Sequence, residues 1–297
     1  MSDTNAANAP KSAPPLSFDA LLPPEMAAKA ESAGVIKATL GTYRMFALAV
    51  LAGAFIGMGA VFATTVSAGA GAMPWGVTRL LAGIVFSLGL ILVIVGGAEL
   101  FTGNNLIVMA WANRKVSTLG LFRNWGIVYL GNFVGAVSTA VLVFLSRQYT
   151  FGGGAVGTTA LGIANHKVML EFLPAIVLGI LCNALVCMAV WLCMSARTTT
   201  DKILAIIFPI SAFVAAGFEH SIANMYFVPM ALFIKGGADA DFWTAAGTTP
   251  AAYPDLTWGN FLLNNLLPVT IGNIIGGVLL VGLFYWFIYL RPPRSVR

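Results

Sequence analysis

Charged side chains are scarce in this chain of 297 residues. Only 9% of the residues are Asp, Glu, Lys or Arg, against roughly 25% in a soluble domain, and 59% are hydrophobic. So few charges cannot cover a water-facing surface, which excludes a soluble globular protein. The composition predicts a membrane protein whose side chains face lipid or other helices. No hydrophilic segment is long enough to fold alone, so we expect one membrane domain.

Cysteine is also rare, and the residues that bind metals or carry catalysis are few. Cys182, Cys187 and Cys193 share one apolar segment, at spacings that cannot close a disulfide within a helix. We interpret them as small buried apolar residues. The sequence shows no metal-ligand cluster, nucleotide loop or nucleophile constellation, so we predict no metal, no cofactor and no enzymatic activity. The first forty residues lack the apolar core of a cleavable signal, and none is expected.

Six apolar stretches of about 20 residues or more predict six transmembrane helices. They cover residues 43–68, 80–110, 124–147, 168–195, 202–234 and 259–290. Amphipathic tryptophan rings prefer the headgroup level, and five of them lie near these boundaries, at Trp75, Trp111, Trp125, Trp243 and Trp258. The fold predicted is therefore all-α.

The basic residues predict the orientation of these helices. Twelve of the sixteen Lys and Arg residues fall on one side of the predicted topology, and only Arg79, Arg147, Lys167 and Lys235 fall on the other. The positive-inside bias then places both termini in the cytoplasm. The net charge of +5 reflects this topology, and no basic patch with interleaved aromatics suggests a nucleic-acid partner.

The segment before the first span carries its own pattern. Residues 18–40, FDALLPPEMAAKAESAGVIKATL, predict a short amphipathic helix after Pro23-Pro24. One interpretation places this helix on the cytoplasmic face of the membrane. A second makes it a gate or a docking site for a cytoplasmic partner. We divide the chain into residues 1–40 as a cytoplasmic N-terminal segment, 41–291 as the transmembrane domain and 292–297 as a cytoplasmic tail.

Three patterns recur in the same order in the two halves of the chain. They are Gly53-x-x-x-Gly57 with Gly179-x-x-x-Asn183, Gly97-Ala98-Glu99 with Gly217-Phe218-Glu219, and Gly131-Asn132 with Gly272-Asn273. Three helices per half make the second half inverted, and inverted repeats place a transporter's site near the bilayer midplane. We predict that the glycines serve helix packing. The buried asparagines need hydrogen-bond partners.

Ionisable residues lie deep in the second and fifth spans. Glu99 and Glu219 occupy equivalent repeat positions, and intramembrane charges are functional hypotheses by default. Both spans are long, and polar runs such as Thr102-Gly103-Asn104-Asn105 favour a break into two half-helices, as does Gly217. Irregular backbone at this depth is tolerated where it lines a cavity. We therefore predict a pore between Leu100-Phe101-Thr102 and Glu219-His220. The glutamates, supported by Asn183 and Asn224, would accept hydrogen bonds from the amides that the breaks free.

His220 has no equivalent, because Leu100 occupies its repeat position. A histidine changes charge near neutral pH, so it could attract an anion or pass it a proton. A neutral acid crosses an apolar constriction more cheaply than an ion. The alternative is a histidine that only bonds the broken backbone.

At these residues the sequence resembles the formate/nitrite transporter family, most closely its formate channel branch. The resemblance runs from about residue 18 to 291, and four segments carry it: 96–104 (GGAELFTGN), 179–189 (GILCNALVCMA), 217–225 (GFEHSIANM) and 268–277 (PVTIGNIIGG). It implies an aquaporin-like protomer of the bacterial inner membrane, assembled as a homopentamer with one pore per protomer, that passes formate and protons in both directions. It also implies that His220 is the central protonation group, with Thr102 and Asn273 nearby. Phe86 and Phe213 would line the periplasmic constriction, and a cytoplasmic slit would be lined by Leu90, Leu100, Phe101 and Val186. Lys167, beside His166, would draw anions to the outer side.

Three alternatives remain at the level of sequence. Nitrite and hydrosulfide members of the same family share the pore plan. A membrane-embedded enzyme could use Glu99, Glu219 and His220 as acid and base groups. A receptor could act through its N-terminal helix.

Overall fold

The computed structural model describes residues 19–291, and every regular element in that range is helical. The predicted cytoplasmic tail 292–297 and the first eighteen residues of the predicted N-terminal segment lie outside the described residues. The helices are α1 Pro23–Thr39, α2 Thr42–Ser67, α3 Trp75–Gly96, α4 Phe101–Asn104, α5 Val108–Ala112, α6 Thr118–Leu145, α7 Ala155–Val168, α8 Phe172–Ser195, α9 Thr199–Ala216, α10 Ser221–Gly237, α11 Ala240–Ala246, α12 Trp258–Asn260, α13 Leu267–Ile275 and α14 Phe284–Tyr289. Short 3-10 turns lie at Ala70–Ala72, Asn105–Ile107, Gln148–Thr150 and Pro250–Ala252, and π-helical stretches at Phe261–Leu266 and Gly276–Leu283.

Six of these helical segments are long and apolar enough to cross a membrane, which confirms the predicted fold class. They are Thr42–Ser67, Trp75–Gly96, Thr118–Leu145, Phe172–Ser195, Thr199–Ala216 and Trp258–Tyr289. The second and fifth spans end earlier than the apolar runs predicted, because the chain breaks within each run and resumes in a second, shorter helix. The protein is therefore a membrane protein with two interrupted spans.

Each break begins at a glycine in the left-handed conformation. Gly97 ends α3 at φ 80°, and Gly217 ends α9 at φ 78°, a region that residues with a Cβ rarely adopt. Extended residues then lead to α4 and α10. The sequence placed the first break at Thr102–Asn105, which was wrong: those residues are helical, and the interruption is at Gly97–Leu100.

The small residues of the repeat bring helix backbones into contact. A Cβ on Gly135 of α6 would lie 1.9 Å from the Val50 carbonyl oxygen of α2. A Cβ on Gly276 would lie 2.2 Å from the Ile180 carbonyl oxygen of α8. Because no larger side chain fits at either position, the prediction that these glycines serve packing is confirmed.

The predicted N-terminal helix is present as α1, and one of its faces is buried. Met26, Ala27 and Ala30 pack against Met109 and Trp191. The helix therefore lies against its own chain at the end of the molecule where α5 and α14 meet. The helix that takes the equivalent place in the second half of the chain is α7, which precedes the fourth span as α1 precedes the first.

Candidate functional site

Two cavities of about 220 Å³ each lie against the two breaks, and they share no lining residue. We name each after its lysine. The Lys167 cavity is lined by residues that include Arg79, Phe86, His166, Lys167, Phe213, Gly217, Glu219, His220 and Asn224. The Lys37 cavity is lined by residues that include Lys37, Leu90, Val93, Gly97, Glu99, Leu100 and Asn104. Many residues of one lining occupy the same repeat positions as residues of the other, so the repeat relates the two cavities to each other.

A buried polar cluster forms one side of the Lys167 cavity. Lys167 Nζ lies 2.8 Å from Glu219 Oε1, and Asn224 Nδ2 donates to Glu219 Oε2 at 2.7 Å. The same Asn224 group donates to Asn265 Oδ1 at 2.7 Å. Asn265 Nδ2 in turn donates to the Lys167 carbonyl oxygen at 3.0 Å. These four residues, the Lys167 cluster, close a ring of bonds around one carboxylate and tie α7, α10 and the π-helical start of the sixth span together.

The same ring recurs at the Lys37 cavity. Lys37 Nζ lies 2.7 Å from Glu99 Oε1, and Asn104 Nδ2 donates to Glu99 Oε2 at 2.7 Å. Asn104 also donates to Asn124 Oδ1 at 3.0 Å, and Asn124 Nδ2 donates to the Lys37 carbonyl oxygen at 3.1 Å. We call these four residues the Lys37 cluster. The duplicated cluster extends the repeat to α1 and α7.

Sequence reasoning paired the two glutamates but missed the lysine and asparagine that complete each cluster. A signal for the asparagines was available: Asn124 and Asn265 each stand eight residues before the paired Asn132 and Asn273. No comparable signal existed for the lysines, because the loops that separate them from the glutamates differ in length. Their equivalence emerges only from the fold.

The predicted role of the glutamates toward the freed backbone amides was wrong. Those amides bond the paired asparagines: Phe101 N donates to Asn132 Oδ1 and Ser221 N to Asn273 Oδ1, each at 2.9 Å. Each asparagine also donates to two carbonyl oxygens, one of which belongs to the glutamate at the break. An uncharged amide can satisfy both an N–H and a C=O at this depth, whereas a carboxylate can only accept.

Asn273, predicted near the substrate, therefore fixes the backbone on both sides of His220. It is fully buried, and among residues 19–291 it is not part of the lining of either cavity.

His220, which lines the Lys167 cavity, meets Thr102, whose neighbour Gly103 lines the Lys37 cavity. His220 Nε2 lies 3.0 Å from Thr102 Oγ1, and both side chains are buried. His220 Nδ1 accepts the Ala223 N–H at 3.1 Å and so caps α10. An acceptor at Nδ1 fixes the neutral tautomer with its proton on Nε2, which then donates to Thr102. A cationic ring would carry a proton on Nδ1 and lose the Ala223 bond.

Thr102 is itself held from the opposite helix. Its carbonyl oxygen accepts from Asn183 Nδ2 at 3.3 Å and lies 3.3 Å from Cys187 Sγ. Asn183 also donates to Asn105 Oδ1 at 2.8 Å. The predicted support role of Asn183 is consistent with these contacts, and all three cysteines are buried and free, as expected.

Aromatic rings close the Lys167 cavity toward the histidine. Phe86 and Phe213 are in edge contact, with centroids 5.7 Å apart, and Phe213 stacks on His220 at 5.8 Å. Leu90 and Leu100, for which the resemblance implies a place in a cytoplasmic slit, line the Lys37 cavity.

Phe101 and Val186, expected in the same slit, line neither cavity among the described residues. Phe101 instead packs edge-on against Tyr129, at 4.9 Å between centroids, and against Trp125. Val186 is buried, 1% exposed. The direction of the Phe101 side chain follows from the break at Gly97, which the sequence had placed too late.

Lys167 lies on the lining of its cavity, as predicted, but its charge faces Glu219 rather than open space. Its ammonium also lies 5.5 Å from the ring centroid of Phe227. Asn224 Oδ1, on the same lining, is a buried acceptor without a hydrogen-bond partner among the described residues.

Comparison with known proteins gives a consistent result. The family model described as formate/nitrite transporter matches residues 24–287. The chain is 50% identical over 274 residues to the formate channel FocA of Escherichia coli (strain K12), which covers 92% of this chain and 96% of that protein. It is 42% identical to the formate channel FocA of Haemophilus influenzae, over 91% of this chain and 95% of that one. A solved structure described as a pentameric formate channel with formate bound has a TM-score of 0.81 and 50% identity, covering 84% of this chain and 98% of that chain. The interrupted spans, the paired cavities and these similarities agree: the chain belongs to the formate/nitrite transporter family.

Proposed function

We propose that this protein passes formate and related small monovalent anions in both directions across the bacterial inner membrane. The observation that carries the proposal is the Thr102–His220 pair, which connects the linings of two cavities built from equivalent residues. The relatives named formate channels, at 50% and 42% identity, favour formate as the substrate. The similar pentameric structure supports a homopentamer with one pore in each protomer.

In this proposal the anion approaches His220 from the Lys167 cavity or leaves by it. The Phe86–Phe213 contact is apolar, so a carboxylate that crosses it loses its water without replacement bonds. A neutral acid loses less and donates a hydrogen bond as it passes.

His220 acts as the central protonation and anion-selecting group. The ring is neutral in the described arrangement because Ala223 N–H occupies Nδ1. Protonation breaks that bond and leaves the α10 cap unmade, so the cationic ring favours handing its proton to the anion. Thr102 holds Nε2 in place during the exchange. Lys167, Glu219 and Asn224 fix the wall along which the anion arrives, and Leu90 and Leu100 bound the exit.

We further propose that the Lys37 cavity faces the cytoplasm, with both termini on that side. The positive-inside bias of the loops supports this orientation. A cytoplasmic partner would meet the outer face of α1, where Leu22 and Ile36 are 67% and 65% exposed. The inner face of α1 is occupied by the protein's own chain.

Flux into proteoliposomes tests the function. Formate, nitrite and hydrosulfide uptake should be measured for the wild type and for His220→Gln, from about pH 5 to pH 8, the range over which histidine titrates. We expect formate flux in the wild type that rises as the pH falls, and a loss of this pH dependence in the variant. Unchanged flux with an unchanged pH profile in His220→Gln would remove the protonation role.

The same experiment separates the alternatives. Nitrite or hydrosulfide flux without formate flux would move the substrate within the family. No flux of any small anion would favour the enzyme or receptor interpretation, although membership in a transporter family argues for transport.

A further inference from the structure

We propose that Arg79 gives the mouth of the Lys167 cavity a net positive charge, and that this charge collects anions before they reach the Phe86–Phe213 contact. Arg79 was predicted only as one of the few basic residues on its side of the membrane. The inference deepens the proposed function, on which it rests, by assigning a residue that governs capture of the anion.

The guanidinium of Arg79 is anchored to neutral atoms. Nε donates to the Ala215 carbonyl oxygen at 3.2 Å, and a terminal nitrogen donates to the Val214 carbonyl oxygen at 2.5 Å. Its carbon lies 5.9 Å from the centroid of a Trp75 ring. These carbonyl groups end α9, whose dipole favours a cation there. Carbonyl oxygens hold the group in place without cancelling its charge.

No carboxylate forms a direct ion pair with Arg79 among residues 19–291, where the ion pairs involve other residues. Glu219 attracts Arg79 at longer range, but the same carboxylate is already paired with Lys167. The Lys167 cavity is lined by three residues of the Asp, Glu, Lys and Arg types: Arg79, Lys167 and Glu219. Lys167 and Glu219 neutralise each other at 2.8 Å. The lining therefore carries a net charge of one positive unit, which comes from Arg79. The Arg79 side chain is half-buried.

The repeat shows that the opposite mouth lacks this charge. The register that pairs Glu99 with Glu219 pairs Arg79 with Thr199, a small neutral residue at the start of α9. The Lys37 cavity has Lys37 and Glu99 on its lining, and they neutralise each other at 2.7 Å. The two linings thus carry the same cluster and differ by one positive charge. Lys29, whose Nζ donates to the Met194 carbonyl oxygen at 2.8 Å, stands outside the Lys37 lining.

A fixed charge at the mouth of a cleft with low-dielectric walls raises the local concentration of the opposite ion. The effect weakens as added salt shortens the Debye length from about 30 Å at 0.01 M to about 3 Å at 1 M. Arg79 should therefore act on the capture of dilute anions, in a manner that salt abolishes. The hydrogen bonds that Arg79 donates to the Ala215 and Val214 carbonyl oxygens would not depend on salt in this way.

The first experiment measures formate uptake at low formate concentration for the wild type, Arg79→Gln and Arg79→Lys in proteoliposomes. In dilute buffer we expect uptake by Arg79→Gln to fall about threefold or more, and the difference to vanish in concentrated potassium gluconate. Arg79→Lys should stay close to the wild type because it keeps the charge. Arg123→Gln is the matched control, because Arg123 also donates to two carbonyl oxygens, of Ala38 and Leu40, and lines neither cavity. An equal deficit of Arg79→Gln at both salt concentrations would overturn the proposal and leave Arg79 as a cap.

The second experiment reads the potential of the mouth without transport. Gly162 lies on the exposed lining of the Lys167 cavity, and a Cβ there meets nothing within 4 Å. A thiol introduced by Gly162→Cys is reacted with anionic sulfonatoethyl methanethiosulfonate and with cationic trimethylammonioethyl methanethiosulfonate, while the native cysteines are buried. Each reagent forms a disulfide and releases methanesulfinate, and the ratio of the two rates reports the local potential.

Adding Arg79→Gln should lower the anionic-to-cationic rate ratio about tenfold in dilute buffer, because the two reagents respond in opposite directions. Adding Arg123→Gln should leave the ratio unchanged. An unchanged ratio with Arg79→Gln would overturn the proposal whether or not the protein passes formate. Absence of formate flux in the wild type together with a changed ratio would instead reject formate as substrate and retain the charged mouth.

Discussion

Breaking the ion pair at the Lys167 cavity should destabilise the fold more than breaking its twin at the Lys37 cavity. The carboxylates are alike, since the Glu219 and Glu99 side chains are 6% and 7% exposed. The lysines differ: the side chain of Lys167 is 13% exposed and that of Lys37 is 31% exposed. Removing one partner of a buried pair costs about 3–5 kcal/mol, because the other charge stays buried and unpaired. Water partly replaces a more exposed partner, and its removal then costs less.

We therefore expect Lys167→Met to destabilise the protein by about 3–5 kcal/mol and Lys37→Met by about 1–2 kcal/mol. Adding Glu219→Gln to Lys167→Met should restore at least half of the loss, because the glutamine oxygen can still accept from Asn224 and Asn265 and no charge is left buried. The readout is the midpoint of thermal unfolding, followed by tryptophan fluorescence in one detergent at one protein concentration. Size-exclusion chromatography of each variant checks that the assembly is intact.

Two results would refute this reasoning. Equal shifts for Lys167→Met and Lys37→Met would show that burial of the lysine does not set the energy of the pair. A double variant as unstable as Lys167→Met alone would show that the loss comes from the packing of the lysine stem and not from an unpaired carboxylate.

Further predictions concern the break and the helix contacts. Thr102→Val should cost about 1–3 kcal/mol and reduce flux, because it leaves the His220 ring nitrogen without a partner, whereas Thr102→Ser should retain both. Asn273→Ala should cost at least about 3 kcal/mol in thermal stability by stranding an N–H and two carbonyl groups, and a smaller loss would show that water replaces the amide. Gly135→Ala should cost about 1–3 kcal/mol or more, since its Cβ would overlap a carbonyl oxygen, while Gly126→Ala, which meets nothing within 4 Å, should be neutral; equal yields of folded protein would contradict the packing account.

Hydropathy predicted the six spans because the thickness of the bilayer leaves few choices for an apolar run of about 20 residues. The pairing of Glu99 with Glu219 was also visible, since a carboxylate in such a run is conspicuous whatever surrounds it. The repeat of glycine and asparagine around it predicted the inverted arrangement. These signals are local in sequence.

The features that the sequence did not predict depend on the direction in which a side chain points, or on contacts between residues that lie far apart along the chain. Phe101 stands next to Leu100, yet its ring packs on Tyr129 while Leu100 lines a cavity, and only the position of the break decides this. Lys37 and Lys167 reach their glutamates across 62 and 52 residues of chain, a separation that no pattern encodes. The bonding of the freed amides was assigned to the wrong polar residues because a carboxylate and an amide both accept hydrogen bonds, and only the amide can also donate.

Each polar cluster is complete within its own half of the chain. The Lys37 cluster uses residues from 37 to 124 and the Lys167 cluster residues from 167 to 265, on either side of the turn Gly152–Gly154. A chain cut at that turn would keep both clusters whole, so the two pieces hold what each needs to anchor its own broken helix. The two pieces would have to re-form the contacts between the halves. There His220, Asn183 and Cys187 of the second piece contact Thr102 of the first. Passage is thus a property of the fitted pair of halves, and neither half contains it alone.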